Sequence, residues 1–302
     1  MKAKIQGKIV SKISQIFTKE DSNEDFLKRA YTIILNREVD SEGLSNWSKM
    51  LDKGLARHDL VRELIASTEF SQKVMSRYSP EFWNSIHKVR SEMVQTLLPQ
   101  AKTILDLGGA NPGDPIGALL SFGYPYLPEK LFIVDLPPNE RIIPISESTT
   151  KLMHKSCEIE YVYTNMADLS QFKEGYFDLI WSGESIEHVS REDAEQVFLQ
   201  VYKLLKPNGV FALDTPNRRV TQLQCPYGYI HPEHKLEYYY DELIEILNDY
   251  NFEIIQTKGL IELPQSIKKS TFIVDEVSQN LSLNNNPKNS YMFYIACMRS
   301  NI

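Results

Sequence analysis

The chain has 302 residues, a formal net charge of −7 and an isoelectric point near 5.5. Its 42% hydrophobic and 24% charged residues are those of an ordinary globular protein, and its acidity argues against a nucleic-acid-binding surface. The three cysteines, Cys157, Cys225 and Cys297, are too widely spaced for a zinc knuckle or a disulfide framework. No apolar run reaches the ~20 residues that span a bilayer, and the chain does not start with a secretory signal, so we expect a cytoplasmic protein.

The first 20 residues depart from this acidity, since they hold five lysines and one acid. Ile5, Ile9, Ile13 and Phe17 recur every four residues and would form one apolar stripe on a helix. Residues 1–22 are therefore predicted to be a basic amphipathic segment. It could make peripheral contact with an anionic membrane surface, or dock on its own domain or on a second copy of the chain.

Residues 23–78 are predicted to form a small helical bundle. Asp40 and Ser41 have the character of an N-cap region, and Gly54 that of a helix end. Within residues 26–73, the sequences "LNREVDSEGLSNW" and "STEF" resemble a small helical domain of unassigned function. That domain occurs in bacterial proteins associated with cell-surface polysaccharide, and the resemblance by itself implies no chemistry.

Residues 79–302 alternate strand and helix patterns, which predicts an α/β domain with a doubly wound, mostly parallel sheet. We expect seven strands, the last two forming an antiparallel hairpin at the edge. The predicted strands are residues 103–107, 131–135, 160–163, 177–181, 210–214, 252–257 and 292–298.

The first of these strands leads into a glycine-rich turn and a helix, "TILDLGGANPGDPIGALL". Gly108 and Gly109 lack side chains, so the backbone can approach a ligand, and Gly113 can adopt a positive φ. The N–H groups at the following helix start favour a carboxylate or a phosphate. Taken alone, this unit is shared with dinucleotide dehydrogenases.

Two carboxylates follow neighbouring strands at the same predicted edge. Asp135 ends the second strand, where a carboxylate can accept both hydroxyls of a ribose. Asp168 follows the third strand, from which its side chain can reach an adenine amine. Together with the glycine turn, they predict a site for an adenosine-containing cofactor.

Residues 177–217, "FDLIWSGESIEHVSREDAEQVFLQVYKLLKPNGVFALDTPN", resemble class I S-adenosylmethionine-dependent methyltransferases in the order of strand, loop, helix and strand. The resemblance covers residues 81–299 and implies a Rossmann-like fold with S-adenosylmethionine as the cofactor. It places the methionine portion at Asp106 and Gly108, the ribose at Asp135, the adenine at residues 166–168 and the sulfonium near residues 182–184. The implied cofactor-binding residues are Asp106, Gly108, Gly109, Gly113, Asp135, Leu136, Met166, Ala167, Asp168, Ser182, Gly183 and Glu184.

Two features depart from the family pattern. The turn reads Gly-Gly-Ala-Asn-Pro-Gly where the family has G-x-G-x-G, and Asp135 follows Asp106 by 29 residues, where about 20 is usual. Both departures concern the backbone contacts to the cofactor and leave the location of the site unchanged.

The acceptor is expected beside the loops after the fourth and fifth strands, because ligands in this fold class bind at the carboxyl ends of strands. His188, His231 and His234 are the candidates for a catalytic base there, and each could instead have a local structural role. His231 and His234 could also be half of a metal site with Glu233, Glu237 or Glu184. Because no third ligand is fixed, no metal is predicted.

These observations favour an O-methyltransferase that acts on a small molecule or a glycan, such as a sugar of a bacterial surface polysaccharide, and that binds no nucleic acid. An N- or C-methyltransferase is the nearest alternative. A nicotinamide-dependent oxidoreductase and a non-catalytic protein that binds a membrane or a partner are alternatives from other classes. The sequence leaves the oligomeric state open.

Overall fold

The structure is a computed structural model of the chain. It describes residues 22–35, 37–65, 67–75, 78–111, 113–137, 150–226, 228–231 and 233–299. The predicted basic segment at the start of the chain lies outside these residues, apart from Ser22, and stays a prediction. The chain divides into two compact units. The first comprises the chain up to Ser79, Thr221–Glu233 and Ser266–Phe272, and the second comprises Pro80–Val220, His234–Gln265 and the chain from Ile273 onward.

The N-terminal part of the first unit is helical, as its apolar periodicity predicts. It contains α1 (Asn23–Ala30), a π-helical turn (Tyr31–Leu35), α2 (Ser41–Asp52), α3 (Arg57–Ile65) and α4 (Thr68–Met75). The Asp40 carboxylate caps α2 by accepting the Gly43 N–H at 2.7 Å. One small core holds these elements together, formed by Phe26, Leu27, Ala30, Tyr31, Ile34, Leu35, Leu51, Leu60, Val61 and Leu64.

The rest of the chain alternates strands with helices. The strands are β1 (Thr103–Leu107), β2 (Lys130–Asp135), β3 (Lys151–His154), β4 (Cys157–Tyr163), β5 (Phe177–Gly183), β6 (Leu205–Pro216), β7 (Phe252–Glu262), β8 (Leu283–Asn284) and β9 (Ser290–Arg299). The helices are α5 (Pro80–Leu97), α6 (Ala118–Ser121), α7 (Arg191–Leu204), α8 (Arg218–Gln224), α9 (Tyr240–Asp249), α10 (Pro264–Lys269) and α11 (Val274–Gln279). Two short 3₁₀ helices, Ile186–His188 and Pro287–Asn289, lie in loops.

The strands form one sheet in the order β3-β4-β2-β1-β5-β6-β9-β7-β8. The five strands from β4 to β6 are parallel, while β3, β9, β7 and β8 pair with their neighbours in antiparallel fashion. The predicted doubly wound, mostly parallel α/β fold is confirmed. Because β1, β2, β4, β5 and β6 run in the same direction, their carboxyl ends meet at one edge.

All seven predicted strands form, and two short strands extend the sheet. β3 and β8 are only 4 and 2 residues long, too short to show a clear alternation in the sequence. The predicted terminal hairpin differs in position, because β9 lies inside the sheet between β6 and β7 and β8 forms the edge. The first eight residues of β9 are all buried, which is the burial that an interior strand requires.

Helix α7 fixes the loop that follows β5. The Ser190 hydroxyl accepts the Asp193 N–H at 3.1 Å and so starts the helix at a defined residue. Its apolar face, which includes Val197, Phe198 and Val201, belongs to the main hydrophobic core. The loop is therefore fixed between the end of β5 and the start of α7, and residues 184–188 lie at the carboxyl edge of the sheet.

The three cysteines are buried, and none of them forms a disulfide. Among the helices of the described residues, none combines the length and the apolarity that crossing a membrane requires.

Candidate active site

The glycine turn after β1 is built for close approach. Gly108 has φ +75°, and its N–H donates to the Val134 carbonyl at 2.7 Å, which ties the turn to β2. A β-carbon at Gly108 would lie 2.6 Å from Cβ of Ser185, so only glycine fits there. Within the described part of this segment, the glycines with positive φ are Gly108 and Gly117, whereas the sequence suggested Gly113. A β-carbon at Gly113 would have only an ordinary contact, 3.7 Å from Oδ1 of Asn111.

Asp106 lies beneath this turn and is 1% exposed. Its Oδ2 has no hydrogen-bond partner among the described residues. Burial, reinforced by the charge of Asp135, raises the pKa of Asp106 to about 7. A buried carboxylate oxygen without a donor marks a place where a ligand can donate a hydrogen bond.

Asp135 ends β2 as predicted and supports the turn directly. Its Oδ2 accepts the Ala110 N–H at 3.0 Å, and its Oδ1 accepts the Leu136 N–H at 2.8 Å. Leu136 is 39% exposed next to it, at the same edge of the sheet. The two residues therefore form a polar and an apolar surface side by side, which suits the ribose and the base of a nucleoside.

The turn after β4 carries Met166, Ala167 and Asp168. Cε of Met166 would lie 3.7 Å from a β-carbon at Gly108, so this side chain borders the glycine turn. Asp168 is exposed, and its Oδ1 accepts the Ser170 hydroxyl at 2.7 Å and the Ser170 N–H at 3.2 Å. These hydrogen bonds lower the pKa of Asp168 and keep it ionised.

The end of β5 forms a third border of the turn. The Ser182 and Ser185 hydroxyls lie 2.6 Å apart in a buried pair, and Ser185 is the residue that faces Gly108. Glu184 has φ +48°, an uncommon conformation for a residue with a side chain. Its N–H donates to the Asp214 carbonyl on β6 at 2.9 Å.

Arg90 is a site residue that the sequence analysis missed. It extends from α5, is 4% exposed, and donates from Nε to Oδ2 of Asp214 at 2.5 Å. Its Nη1 lies 2.5 Å from Oε2 of Glu184, and its guanidinium stacks over the Phe122 ring at 4.7 Å. Burial opposes its charge, but Asp214 and Glu184 raise the pKa of Arg90 above its usual value. The signal in the sequence was a charged residue on the apolar face of α5, between Ile86 and Met93.

A cluster of histidine and glutamate side chains lies beyond Glu184. The His188 and His234 rings meet edge to face with centroids 4.9 Å apart. Glu187 is fully buried, and one of its carboxylate oxygens lies within 4.8 Å of a ring nitrogen of each histidine. Oε2 of Glu187 accepts the Thr215 hydroxyl at 3.0 Å, while Oε1 has no hydrogen-bond partner in the described chain. Burial raises the pKa of Glu187 to about 8.

His234 is oriented by an anionic partner. Its Nδ1 lies 2.8 Å from Oε1 of Glu237, and Oε2 of Glu237 pairs with Nη1 of Arg218 at 3.3 Å. Although burial favours the neutral ring, Glu237 and Glu187 raise the pKa of His234 above its usual value. The Glu237 contact places the proton on Nδ1, which leaves Nε2 as the acceptor atom of the neutral ring.

Among the described residues of the second unit, Glu187, His188 and His234 form a group that could hold a divalent cation. Two imidazoles and one carboxylate are a common ligand set for Zn²⁺ and for transition metals, with positions left for substrate or water. Of His231 and His234, the two histidines that the sequence suggested as metal ligands, this group contains His234. His231 belongs to the first unit, where its Nδ1 accepts the Glu233 N–H at 3.2 Å.

Known proteins resemble two parts of the chain. Residues 109–213 match a family described as a methyltransferase domain, and residues 11–74 match a domain of unknown function, DUF4214. The ubiquinone biosynthesis O-methyltransferase of Rickettsia typhi (strain ATCC VR-144 / Wilmington) is 31% identical over 129 residues, which cover 39% of this chain and 50% of that protein. The chain therefore spans about half the length of the curated relative that it matches.

Solved structures are similar to the chain at low sequence identity. A chain of the complex between the Haloferax volcanii Trm112 methyltransferase activator and a methyltransferase is 13% identical with a TM-score of 0.50, covering 74% of this chain and 92% of that chain. A Thermotoga maritima S-adenosylmethionine-dependent methyltransferase is 16% identical with a TM-score of 0.46, covering 76% of this chain and all of that chain (100%).

The second unit has the α/β, Rossmann-like fold of class I S-adenosylmethionine-dependent methyltransferases, and residues 109–213 match the methyltransferase domain family. The residues present fit the cofactor that this fold family implies, S-adenosylmethionine. The turn at Gly108 leaves no room for a side chain, and the buried Oδ2 of Asp106 lacks a donor among the described residues. Exposed Leu136 and the turn at Met166 border the same edge, where a nucleoside can bind.

Proposed function

We propose that this chain transfers the methyl group of S-adenosylmethionine to a hydroxyl of a small molecule or a glycan, with His234 as the catalytic base. The observation that carries the proposal is the contact between Nδ1 of His234 and Oε1 of Glu237 at 2.8 Å. A histidine oriented by a carboxylate is the arrangement that general-base catalysis uses, because the carboxylate fixes the tautomer and stabilises the imidazolium that forms.

S-Adenosylmethionine supplies, when bound, an electrophilic methyl group whose bond to sulfur breaks as a bond to the acceptor forms. A hydroxyl is a weak nucleophile, so it gains from losing its proton during the attack. Nε2 of His234 would take that proton, and Glu237 with Arg218 would hold the ring in place. The imidazolium of His234 would then pass the proton to water.

Two further observations support an oxygen acceptor. The curated relative that matches the chain bears the name of an O-methyltransferase. The N-terminal segment resembles a module associated with surface polysaccharide, which makes a sugar hydroxyl the acceptor that we would test first. A nitrogen or carbon acceptor is the alternative, and the position of the methyl group in the product would distinguish them.

A second mechanism is favoured by the unsatisfied Oε1 of Glu187. With His188 and His234, this oxygen could bind a divalent cation that lowers the pKa of the acceptor hydroxyl. His234 would then be a ligand and not a base. The chain would still be an O-methyltransferase, but its activity would depend on the metal.

The first test is calorimetric titration of S-adenosylhomocysteine into the wild type and into Asp135→Ala. We expect micromolar binding that the substitution weakens strongly, and absence of binding to the wild type would refute the proposal. Sugars, sugar nucleotides and phenols would then be screened with labelled S-adenosylmethionine. Once an acceptor is found, His234→Gln should lower kcat by about 10²- to 10⁴-fold, whereas His58→Gln, at an exposed histidine of the first unit, should leave kcat unchanged.

A further inference from the structure

Arg90 and Asp214 hold both the backbone and the side chain of Glu184 in place. Its N–H donates to the carbonyl of Asp214, and its carboxylate meets the guanidinium of Arg90, which also binds the Asp214 carboxylate. The positive φ of Glu184 is unfavourable for a residue with a side chain and persists only where surrounding contacts enforce it. Arg90 and Asp214 supply those contacts, so the orientation of the Glu184 carboxylate depends on Arg90.

Several carboxyl groups interact with the charge of Arg90. The buried carboxylates that interact with its charge include Asp214 and Glu187, and Arg90 also acts on Asp106. Oδ2 of Asp106 and Oε1 of Glu187 are buried, and within the described residues neither has a hydrogen-bond partner. Glu184 acts on the charge of Arg90, Asp214, Glu187, His87 on α5 and His234. A site with this many carboxyl groups suits a ligand that brings positive charge.

Glu184 is the member of this group that a ligand can reach. Its side chain is 31% exposed, while those of Asp214 and Arg90 are 0% and 5% exposed. Oε2 of Glu184 lies 2.5 Å from Nη1 of Arg90. Because a carboxylate has two oxygens that can each accept more than one donor, Glu184 can pair with Arg90 and receive a second cation at the same time.

We propose that Arg90 is a positioning residue that holds Glu184 as the acceptor for a cationic group of S-adenosylmethionine. The inference rests on the proposed function, since it concerns the cofactor of that reaction. Two cationic groups are present in the cofactor, the ammonium of its methionine portion and the sulfonium. Either group would be bound by the same feature, a carboxylate fixed at the edge of β5. Ligands that carry both cationic groups, one of them or neither distinguish the two possibilities.

The test is calorimetry with three ligands: S-adenosylmethionine, which has both cationic groups, S-adenosylhomocysteine, which keeps only the ammonium, and methylthioadenosine, which has neither. We expect Glu184→Gln to weaken S-adenosylmethionine at least tenfold and methylthioadenosine less than twofold. An equal loss for S-adenosylhomocysteine would identify the ammonium, and a loss confined to S-adenosylmethionine the sulfonium. A purely structural role would weaken all three ligands alike, and that result, or an unchanged affinity for all three, would overturn the inference.

Arg90→Lys tests whether the arginine acts through Glu184. Lysine keeps the charge but cannot hold two carboxylates with a planar fork, so we expect the same ligand-dependent loss. The double variant Arg90→Lys/Glu184→Gln should lose no more affinity than either single variant, whereas additive losses would show independent roles and overturn the coupling.

Arg191→Lys is the matched control, since Arg191 forms a single ion pair with Glu242 at 2.6 Å and is 48% exposed. It should bind all three ligands as the wild type does. Circular dichroism would verify the fold of each variant, and Glu184→Gln alone decides the question if Arg90→Lys does not fold. If the wild type binds none of the three ligands, the proposed function fails, and that outcome is distinct from a failure of the Arg90 inference.

Discussion

The Asp106 carboxyl occupies the space that a side chain at position 109 would need. A β-carbon on Gly109 would lie 2.1 Å from Cγ and Oδ2 of Asp106, closer than any real contact. The buried aspartate and the second glycine of the turn are therefore one structural unit. Replacing the glycine must displace the carboxyl that we assign to the cofactor site.

Gly109→Ala should accordingly abolish cofactor binding. We expect the affinity for S-adenosylhomocysteine to fall at least a hundredfold, because either Asp106 or the turn must move. Gly113→Ala is the control, since a β-carbon there would meet only Oδ1 of Asn111 at 3.7 Å. Its affinity should stay within about threefold of the wild type, as expected for an ordinary van der Waals contact. Equal affinities for the two variants, measured by calorimetry, would contradict the role of the turn.

The buried carboxyl groups should make stability depend on pH in an unusual direction. Burial raises the pKa of Asp106 to about 7 and that of Glu187 to about 8, from values of 3.8 and 4.5 for the free side chains. Their contribution to the free energy of unfolding is complete below the unfolded values and is lost as pH rises to the folded ones. The melting temperature of the ligand-free protein should fall by several degrees between about pH 5 and about pH 8, since one pKa unit is worth ~1.4 kcal/mol.

Asp106→Asn should flatten this dependence and raise the melting temperature at the alkaline end. Asp178 provides a control of opposite sign, because Lys206 and Thr103 lower its pKa although burial opposes the shift. Its contribution is present above the unfolded pKa and is lost on acidification, so Asp178→Asn should lower the melting temperature at both pH values. A melting temperature that rises from pH 5 to pH 8 in the wild type and in Asp106→Asn alike would refute the assignment.

The pairing of His234 with Glu237 can be tested without an acceptor. We expect the His234 ring to titrate above the ordinary histidine value in an NMR titration, because Glu237 and Glu187 favour the imidazolium more than burial disfavours it. Glu237→Gln should lower the His234 pKa by about one unit or more. An unshifted His234 resonance in Glu237→Gln would show that the carboxylate does not control the ring.

Removal of divalent cations separates the two mechanisms proposed for the acceptor hydroxyl. If His234 acts as a base, treatment with a chelator should leave methyl transfer unchanged, and Glu187→Gln should reduce it less than about tenfold. If Glu187, His188 and His234 bind a metal, the chelator should abolish activity and Mn²⁺ should restore it. Calorimetric titration of Mn²⁺ into the wild type and into Glu187→Gln measures the site directly.

Much of this architecture follows from local patterns in the chain. The strands around Asp106 and Asp135, the glycine turn between them and the helix after Ser190 are each encoded within about ten to twenty residues, because alternation, capping and glycine content are local properties. The N-cap at Asp40 was predictable for the same reason, since its partner Gly43 is three residues away. The family resemblance of residues 177–217 added the expected cofactor and the positions of its contacts.

The tertiary structure alone decided which distant side chains meet. Arg90 and Asp214 are 124 residues apart in the chain, and only the packing of α5 on the sheet brings the guanidinium to the carboxylate. The insertion of β9 between β6 and β7 likewise depends on strand pairing across more than 70 residues, which no local pattern encodes. His188, His231 and His234 were all candidates in the sequence, and only the fold places the Glu237 carboxylate 2.8 Å from Nδ1 of His234. Buried charged groups need partners. The sequence identifies the charged residues, but only the tertiary structure determines which of them pair.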